Sequence, residues 1–366
     1  MVSMITGART YYCSSNLNAP PSFFSTTDIT NFNSAEFKMN NKLVGLIFFL
    51  HCAAVSGQEL FPNTEPASNV PKGVLGVRVY DETYKEFGQL RNMVALKLMY
   101  GVLPKLTFMA TVVGSNHHDV NFPANLVSHT HNGNQSVYST GNFQRGASYP
   151  FLVNGIYLYT KYRFLTTDKD DRHLRMAAYA EWSNVDAAHE ESEPTLQDDT
   201  KGYGGGLIIT NLYKRLAISF TGGFIIPGKH EGFSPDLSGG PLVPTDVQYG
   251  RALNYDLSFG YLIYPFEYTN YNQPNINIYL ELMGKSYGAA TVHQYGDKLV
   301  PIQTPLLQAG SYVEAYPGVQ VILKSNLRLD FCMGFPLVNQ SLTHFYPVYM
   351  LGVQRYFFFK KRSKEG

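Results

Sequence analysis

Charge is scarce in this 366-residue sequence: 16% of the residues are Asp, Glu, Lys or Arg, against about 25% in an ordinary soluble domain. The 29 basic and 28 acidic residues nearly cancel, which leaves no basic surface for nucleic acid. Long hydrophobic runs are also missing, since the longest, residues 43–56, covers 14 positions where a spanning helix needs about 18. Binding of nucleic acid and a helical membrane protein are both excluded.

Cysteine is equally sparse, with three residues in the whole chain. Cys13 and Cys52 lie in segments that we expect to be absent from the mature protein, so Cys332 has no partner for a disulfide. A lipoprotein anchor at Cys52 is disfavoured, because the residue before it is the bulky His51. Aromatic residues are plentiful instead, with 27 Tyr and 24 Phe that need a structural explanation.

A targeting sequence lies within the first 57 residues. Residues 40–57 carry a Lys, an apolar core and then small residues, which is the layout of a secretory signal peptide. Residues 1–38 resemble no part of such a signal, and Met39 directly precedes it. We therefore expect Met39 to be the true start, residues 1–38 to be a non-native upstream extension, and residues 39–57 to be the signal peptide. Residues 58–73 would then form a periplasmic N-terminal segment.

Twelve later segments alternate apolar with small or polar residues, the period-2 pattern of a strand with two unlike faces. Leu216, Ile218 and Phe220, for example, alternate with Ala217 and Ser219. Most of these segments have the length of a tilted bilayer crossing, roughly 9–11 residues. They cover residues 74–82, 91–101, 105–114, 151–164, 172–184, 202–212, 215–226, 250–263, 275–288, 311–323, 327–338 and 346–358.

The connections between these segments alternate between mostly tight turns and mostly long loops, which is typical of an outer-membrane barrel with both termini in the periplasm. We predict an all-β fold, a transmembrane antiparallel up-and-down β-barrel of about 12 strands over residues 74–359, with residues 360–366 as a basic periplasmic tail. A soluble β-sandwich or lipocalin-like barrel alternates similarly, but its outer face would carry charge. The aromatic excess is explained by girdles at the two membrane interfaces.

One face of each predicted strand lines the barrel interior, where mixed charge can set selectivity or simply pair and fill the space. Tyr, Asn and Gln recur on the same face and can contact modest organic solutes. A ligand path also requires that neither the loops nor the N-terminal segment plug the barrel. The charged lumen candidates are Arg78, Lys97, Lys161, Arg163, Arg175, Glu181, Asp256, Glu281, Lys285, Glu314, Arg328 and Asp330.

Two predicted loops carry clusters of side chains that are able to bind metal ions. Residues 115–131 contain four imidazoles that could bind a transition metal, but their spacing matches no tight motif, so solvated histidines are favoured. These weak metal candidates are His117, His118, His129 and His131. Residues 186–199 contain six acids, which either bind divalent cations or form a solvated acidic loop, and the second reading is favoured.

The C-terminal third carries the most family-like sequence. Pro317, Gly318, Val319 and Gln320 lie on one predicted strand, and the next ends on Phe335, Pro336 and Leu337. With residues 166–194 and 247–265, this pattern resembles the outer-membrane channels of the phenol-degradation-operon family in their Bacteroidetes-type form. The resemblance covers most of residues 74–359 and implies a twelve-stranded barrel with a transport role. The basic tail departs from the aromatic C-terminal end that is common in such barrels.

The sequence therefore predicts an outer-membrane channel or transporter for small solutes, hydrophobic or aromatic ones among them, that works by passive diffusion. We expect no enzyme activity and no cofactor, since no phosphate-binding loop or Cys/His metal motif is present. The expected partners are outer-membrane lipid and lipopolysaccharide, the barrel assembly machinery and an unidentified solute. The alternatives are a closed structural or adhesion barrel and, less favoured, an outer-membrane hydrolase using Ser115 with His117 or Asp186 with His189.

Overall fold

The computed structural model describes residues 61–86, 88–116, 150–186, 192–235, 241–267, 270, 272–299 and 308–359. These ranges contain sixteen strands. In chain order they are β1 (Val74–Glu86), β2 (Gln89–Leu103), β3 (Leu106–Ser115), β4 (Leu152–Lys169), β5 (Arg172–Ser183), β6 (Gly202–Tyr213), β7 (Leu216–Pro227), β8 (Lys229–Pro235), β9 (Leu242–Gln248), β10 (Ala252–Tyr264), β11 (Asn275–Tyr287), β12 (Thr291–Gln294), β13 (Asp297–Leu299), β14 (Gly310–Leu323), β15 (Leu327–Val338) and β16 (Val348–Phe358). In this part of the chain, no helix has the length and hydropathy to span a membrane.

Twelve of the strands close into one antiparallel barrel, in the order β1, β16, β15, β14, β11, β10, β7, β6, β5, β4, β3, β2. The seam is closed by the first and last strands, with Arg78 opposite Gln354 and Val79 opposite Val353. Closure gives every strand two neighbours, so the wall has no edge with unpaired backbone groups. The predicted twelve-stranded antiparallel barrel is confirmed, and the strand bounds agree to within a few residues at most ends.

The two faces of the wall differ as the alternation predicts. On β7, Phe220 and Phe224 are 48% and 44% exposed, whereas Ala217 and Ser219 are almost fully buried. Exposed apolar side chains continue around the outside on the other strands, and lipid can cover such a surface at no desolvation cost. Exposed aromatic rings also lie near the strand ends, at Tyr100, Tyr162, Trp182, Tyr203, Tyr213, Tyr261, Tyr349 and Phe357.

The barrel has a turn end and a loop end. At the turn end lie the start of β1, the end of β16 and tight turns such as residues 214–215. At the loop end, β8, β9, β12 and β13 form a separate four-stranded sheet. Residues 227–249 and 289–310 were expected to be loops, so this sheet is an addition to the prediction. Its strands have three to seven residues, and β8 and β9 contain Gly or Pro, which weakens any alternation signal.

Residues 61–72 lie inside the barrel, and we call them the inner segment. The sequence predicts a periplasmic segment over residues 58–73, and the wall encloses residues 61–72 of it, with Phe61, Ala67 and Val70 all at most 3% exposed. Just before β1 begins, the segment passes Gly101 of β2. A side-chain carbon at position 101 would lie 2.0 Å from the carbonyl oxygen of Pro71. Only glycine permits this close backbone approach.

Candidate functional site in the barrel lumen

The inner segment carries one charged anchor, Glu65, which lies between two lysines of the wall. Its Oε2 is 3.0 Å from Lys161 Nζ, and its Oε1 pairs with Lys97. Lys161 also donates to the carbonyl of Pro66 at 2.6 Å. Lys161 is 1% exposed, and a buried ammonium is tolerated only with such partners. Glu65 therefore neutralises the β2 and β4 side of the lumen.

Two arginines of the wall, on β1 and β15, hold the backbone of the inner segment. Arg328 donates to the carbonyl of Phe61 at 2.6 Å, and Arg78 donates to that of Pro62 at 2.5 Å. Both guanidinium groups are fixed by Asp330, at 2.8 Å from Arg328 and 3.3 Å from Arg78. These three candidates form a buried network that attaches β1 and β15 to the segment.

Glu281 of β11 accepts hydrogen bonds from the next part of the inner segment. The amides of Asn63 and Thr64 reach its carboxylate at 3.1 and 2.9 Å, and the Thr64 hydroxyl does so at 2.8 Å. Thr64 also lies 2.7 Å from the hydroxyl of Ser258 on β10. Adjacent amides that converge on one carboxylate form a strong charge-assisted contact.

Hydroxyl groups of β6 and β3 hold the remaining backbone of the inner segment. Thr210 accepts from the amide of Ala67 at 2.8 Å, and Thr107 accepts from the amide of Val70 at 3.0 Å. Ser68 also accepts from Arg175 of β5 at 3.5 Å. The segment therefore contacts the wall on β1, β2, β3, β4, β5, β6, β10, β11 and β15, and it crosses the lumen from one side to the other.

From the loop end, residues 192–201 also fold into the barrel, and we call them the outer loop. Glu193 is its anchor and is 2% exposed. The predicted solvated acidic loop is therefore wrong at this residue. The four donors to its carboxylate are Lys285 Nζ (3.1 Å), Tyr312 Oη (2.7 Å), Ser341 Oγ (2.9 Å) and the Leu342 amide (2.8 Å).

Electrostatics reinforces this anchor. Burial alone would raise the pKa of Glu193, but the charges of Lys285 and His344, with hydrogen bonds from Tyr312 and Leu342, outweigh it and hold the pKa below its usual value. Glu193 therefore stays charged at neutral pH, and it holds the outer loop against β11 and β14.

His344, in the connection between β15 and β16, forms a second charged cluster at the loop end. Its Nε2 is 3.1 Å from Glu82, and its Nδ1 is 2.8 Å from Glu314. Burial alone would lower the pKa of His344, but Glu314 and Glu82 raise it well above the usual value. The hydroxyl of Tyr346 also donates inward to Glu314.

A chamber of about 250 Å³ lies between the inner segment and the outer loop. Pro62 and Asn63 line it from one side, and residues 195–199 line it from the other. Six of the twelve charged candidates line the chamber: Arg78, Lys97, Glu181, Asp256, Lys285 and Glu314. Sequence reasoning missed the outer loop as a wall of this chamber. One signal in the sequence indicated that this loop is buried: Leu196 is an apolar residue in a polar stretch. In the structure Leu196 is buried.

The remaining charged candidates lie elsewhere in the barrel. Lys161, Glu281, Arg328 and Asp330 hold the inner segment as described above. Arg175 lies 3.7 Å from Asp168 near the turn end, and Arg163 donates to the carbonyl of Pro104 at 3.1 Å. The structure thus divides the predicted set into a chamber group, an anchoring group and a turn-end pair.

The loop chemistry considered from the sequence falls largely outside the described residues. This is true of His117, His118, His129, His131 and His189. Across the described ranges, no three His, Cys, Asp or Glu side chains are grouped to hold a metal ion. Asp186 instead pairs with His230 of β8 at 2.6 Å and with Lys201 at 2.8 Å.

The closed wall, the apolar exterior and the opposed turn and loop ends define an outer-membrane β-barrel, which places the chain in the cell outer membrane. Comparison with solved structures agrees with this class. The COG4313 outer-membrane channel from Pseudomonas putida F1 superimposes with a TM-score of 0.51 at 12% identity, over 82% of this chain and 100% of that one.

Two further structures align over most of the chain but superimpose less well. The NanC porin gives a TM-score of 0.37 at 10% identity, over 77% of this chain and 98% of that one. The toluene transporter TodX from Pseudomonas putida gives 0.30 at 13% identity, over 83% and 94%. No protein-family model matches the sequence, and no curated protein is similar to it. The resemblance to the phenol-degradation-operon family stays a prediction.

Proposed function

We propose that this protein is an outer-membrane channel for small solutes, that the inner segment closes its path, and that displacement of the segment opens it. The observation that carries the proposal is the chamber, which lies in the lumen directly against the inner segment. A barrel that only scaffolds the membrane has no need of a chamber between two inward-folded segments. The solved structure with a TM-score of 0.51 is described as an outer-membrane channel, which is the same class.

The lining of the chamber supports solutes that carry both an apolar and a polar part. Met93, Leu196 and Met283 supply apolar surface, while Tyr157 and Tyr312 supply rings with a polar hydroxyl. Mixed linings of this kind are typical of small-molecule sites. Small solutes with a hydrophobic or aromatic body therefore fit the chamber, and passage by diffusion needs no energy source.

A reducible lock can test whether the inner segment closes the path. The side-chain Nδ2 of Asn63 lies 3.5 Å from the sulfur of Cys332 on β15, so Asn63→Cys places two thiols together. We expect the oxidised variant to block solute entry in a liposome-swelling assay. Reduction should restore entry to within about twofold of the wild-type rate.

The matched control carries Asn63→Cys together with Cys332→Ser, which removes the cross-link but keeps the substitution. It should behave alike under oxidising and reducing conditions. Equal solute entry in the locked and reduced states would show that the segment is not the gate. Solute entry should be measured for the wild type, the reduced Asn63→Cys variant and Glu65→Gln. If no solute enters any of the three, the protein is instead a closed structural barrel.

A further inference from the structure

Arg355 of β16 lies on the outer, apolar face of the barrel wall. It is exposed, and it alternates with Gln354 and Tyr356, which are buried on the inner face. Its neighbours across the sheet are apolar, Val77 on β1 and Leu327 on β15. A charge on this face is costly at the middle of the bilayer and costs little near the interface. The depth of Arg355 and its partner therefore need an explanation.

The guanidinium group of Arg355 is directed towards the turn end. Its Cζ lies 5.4 Å from the centre of the Phe357 ring, which is two residues nearer to that end and is 41% exposed. The strand ends three residues after Arg355, at Phe358. With about 3.3 Å per residue and a tilt of about 40°, the Cα of Arg355 lies about 8 Å inside this rim. An arginine side chain that extends towards the rim from this depth reaches the lipid headgroups.

A second base, Lys324, lies beside Arg355 at the turn end. It is exposed, in the tight turn between β14 and β15. Leu327 lies opposite both Arg355 and Leu323, the residue before Lys324. Because β14 and β16 are two strand spacings apart, about 10 Å, the two long side chains are able to reach one anion between them.

The charges of these two bases are not neutralised by the wall around them. Residues 72–80, 318–329 and 351–359, which include the turn ends of β1, β14, β15 and β16, contain no Asp or Glu. Neither base forms an ion pair with an acid of the described residues. At the loop end, by contrast, the exposed Lys229 pairs with Asp246 at 2.9 Å. The turn end therefore presents two uncompensated positive charges at the depth of the headgroups.

We propose that this surface binds the headgroup of an anionic phospholipid, with the phosphate between Lys324 and Arg355. A zwitterionic lipid would bring an ammonium group next to two unpaired bases, whereas phosphatidylglycerol brings a net negative charge. The acyl chains would lie over Leu329 and Val353, which are exposed in the next row of the same face. The turn end is predicted to face the periplasm, and the leaflet on that side consists of phospholipid.

Native mass spectrometry of the purified, folded full chain, released from detergent micelles, tests this assignment. The probes are phosphatidylglycerol and phosphatidylethanolamine with the same acyl chains. We expect the first phosphatidylglycerol to bind about fivefold or more tightly than phosphatidylethanolamine. Lys324→Gln and Arg355→Gln should each weaken phosphatidylglycerol binding about fivefold, because each removes one base from the anion. Neither change should alter the affinity for phosphatidylethanolamine.

Lys105→Gln is the matched control, because it removes an exposed base of the turn end from another turn, between β2 and β3. Its affinity for phosphatidylglycerol should stay within about twofold of wild type, as should that of Arg355→Lys, which keeps the charge. Heat-dependent migration in electrophoresis checks the folding of every variant. If Arg355→Gln does not fold, Lys324→Gln and the comparison of the two lipids on the wild type decide the question.

Equal affinity for the two lipids, or full affinity in both Gln variants, would overturn the assignment. An equal loss in Lys105→Gln would also overturn it, in favour of a diffuse attraction by the whole turn end. Displacement of phosphatidylglycerol by a lower concentration of lipopolysaccharide or inorganic phosphate would overturn it in favour of another anion. Because the two bases lie outside the lumen, the result is independent of the channel proposal.

Discussion

The inner segment and the outer loop both fill the lumen, but the wall holds them in different ways. The inner segment has contacts with nine strands, many of them made by its backbone, so its attachment is distributed. In the outer loop the contacts converge on one buried carboxylate, that of Glu193, which receives four donors from three elements, while Tyr80 and Asn154 add single hydrogen bonds to Gln197 and Asp198 at 2.7 and 3.1 Å. Distributed contacts tolerate the loss of any one member, whereas contacts that converge on one carboxylate are lost together with it. The loop should therefore be the weaker of the two closures.

The largest expected effect is release of the outer loop by Glu193→Ala. Removing this carboxylate leaves Lys285 buried without its partner, and breaking a buried pair costs about 3–5 kcal/mol. Hydrogen exchange at residues 192–200 should rise steeply, while β5 and β6 stay protected. Glu231→Ala, on the exposed sheet, should leave the exchange of the loop unchanged. Unchanged protection in Glu193→Ala would mean that the loop has other anchors of equal strength.

The next effect is expected at Glu65→Gln, which removes the charge facing Lys97 and Lys161. Hydrogen bonds to charged groups contribute about 1.5–3 kcal/mol, so the midpoint of unfolding in urea should fall by a corresponding amount. The backbone anchors should still keep residues 61–72 protected from exchange. Full exposure of the segment in this variant would contradict a distributed attachment.

A smaller effect is expected from single hydroxyl anchors. Thr107→Val and Thr210→Val each leave one backbone amide of the inner segment without an acceptor, at a cost of about 1–2 kcal/mol. Thr111→Val is the matched control on β3, because this residue has no hydrogen bond to the segment among the described residues. A control that destabilises as much as Thr107→Val would show that burial, and not the hydrogen bond, matters at these sites.

The smallest effect concerns pH and His344. Because its pKa is raised in the folded state, the stability that it contributes is fully present below about pH 6.5, its unfolded value. That contribution is lost progressively as the pH rises from there through the higher folded value. Unfolding midpoints should therefore fall more from pH 7 to pH 10 in the wild type than in His344→Gln. Parallel slopes in the wild type and His344→Gln would refute the assignment.

The barrel could be predicted from the sequence because its signal is local. Alternation along a strand such as 216–227 indicates which face meets lipid. On β11 the same pattern predicts that charged residues such as Glu281 and Lys285 lie on the inner face. The periodicity of one strand needs no knowledge of any other. Both the strand number and the faces that point inward followed from it.

The filling of the lumen could not be predicted in the same way, because its contacts join distant parts of the chain. Asn63 and Glu281 are 218 positions apart, and Ala67 and Thr210 are 143 apart. The inner segment is polar and contains prolines, which is also typical of an exposed linker. Only the closed wall shows that such a sequence has somewhere to be buried.

The seam between β1 and β16 has a consequence for how the protein assembles. The inner segment is continuous with β1, and its contacts reach strands from β2 to β15, so its binding surface does not exist until the wall is nearly complete. We expect the segment to be enclosed while the seam closes, instead of being threaded into a finished barrel. Enclosure of the inner segment and pairing of β16 with β1 should then be one cooperative event.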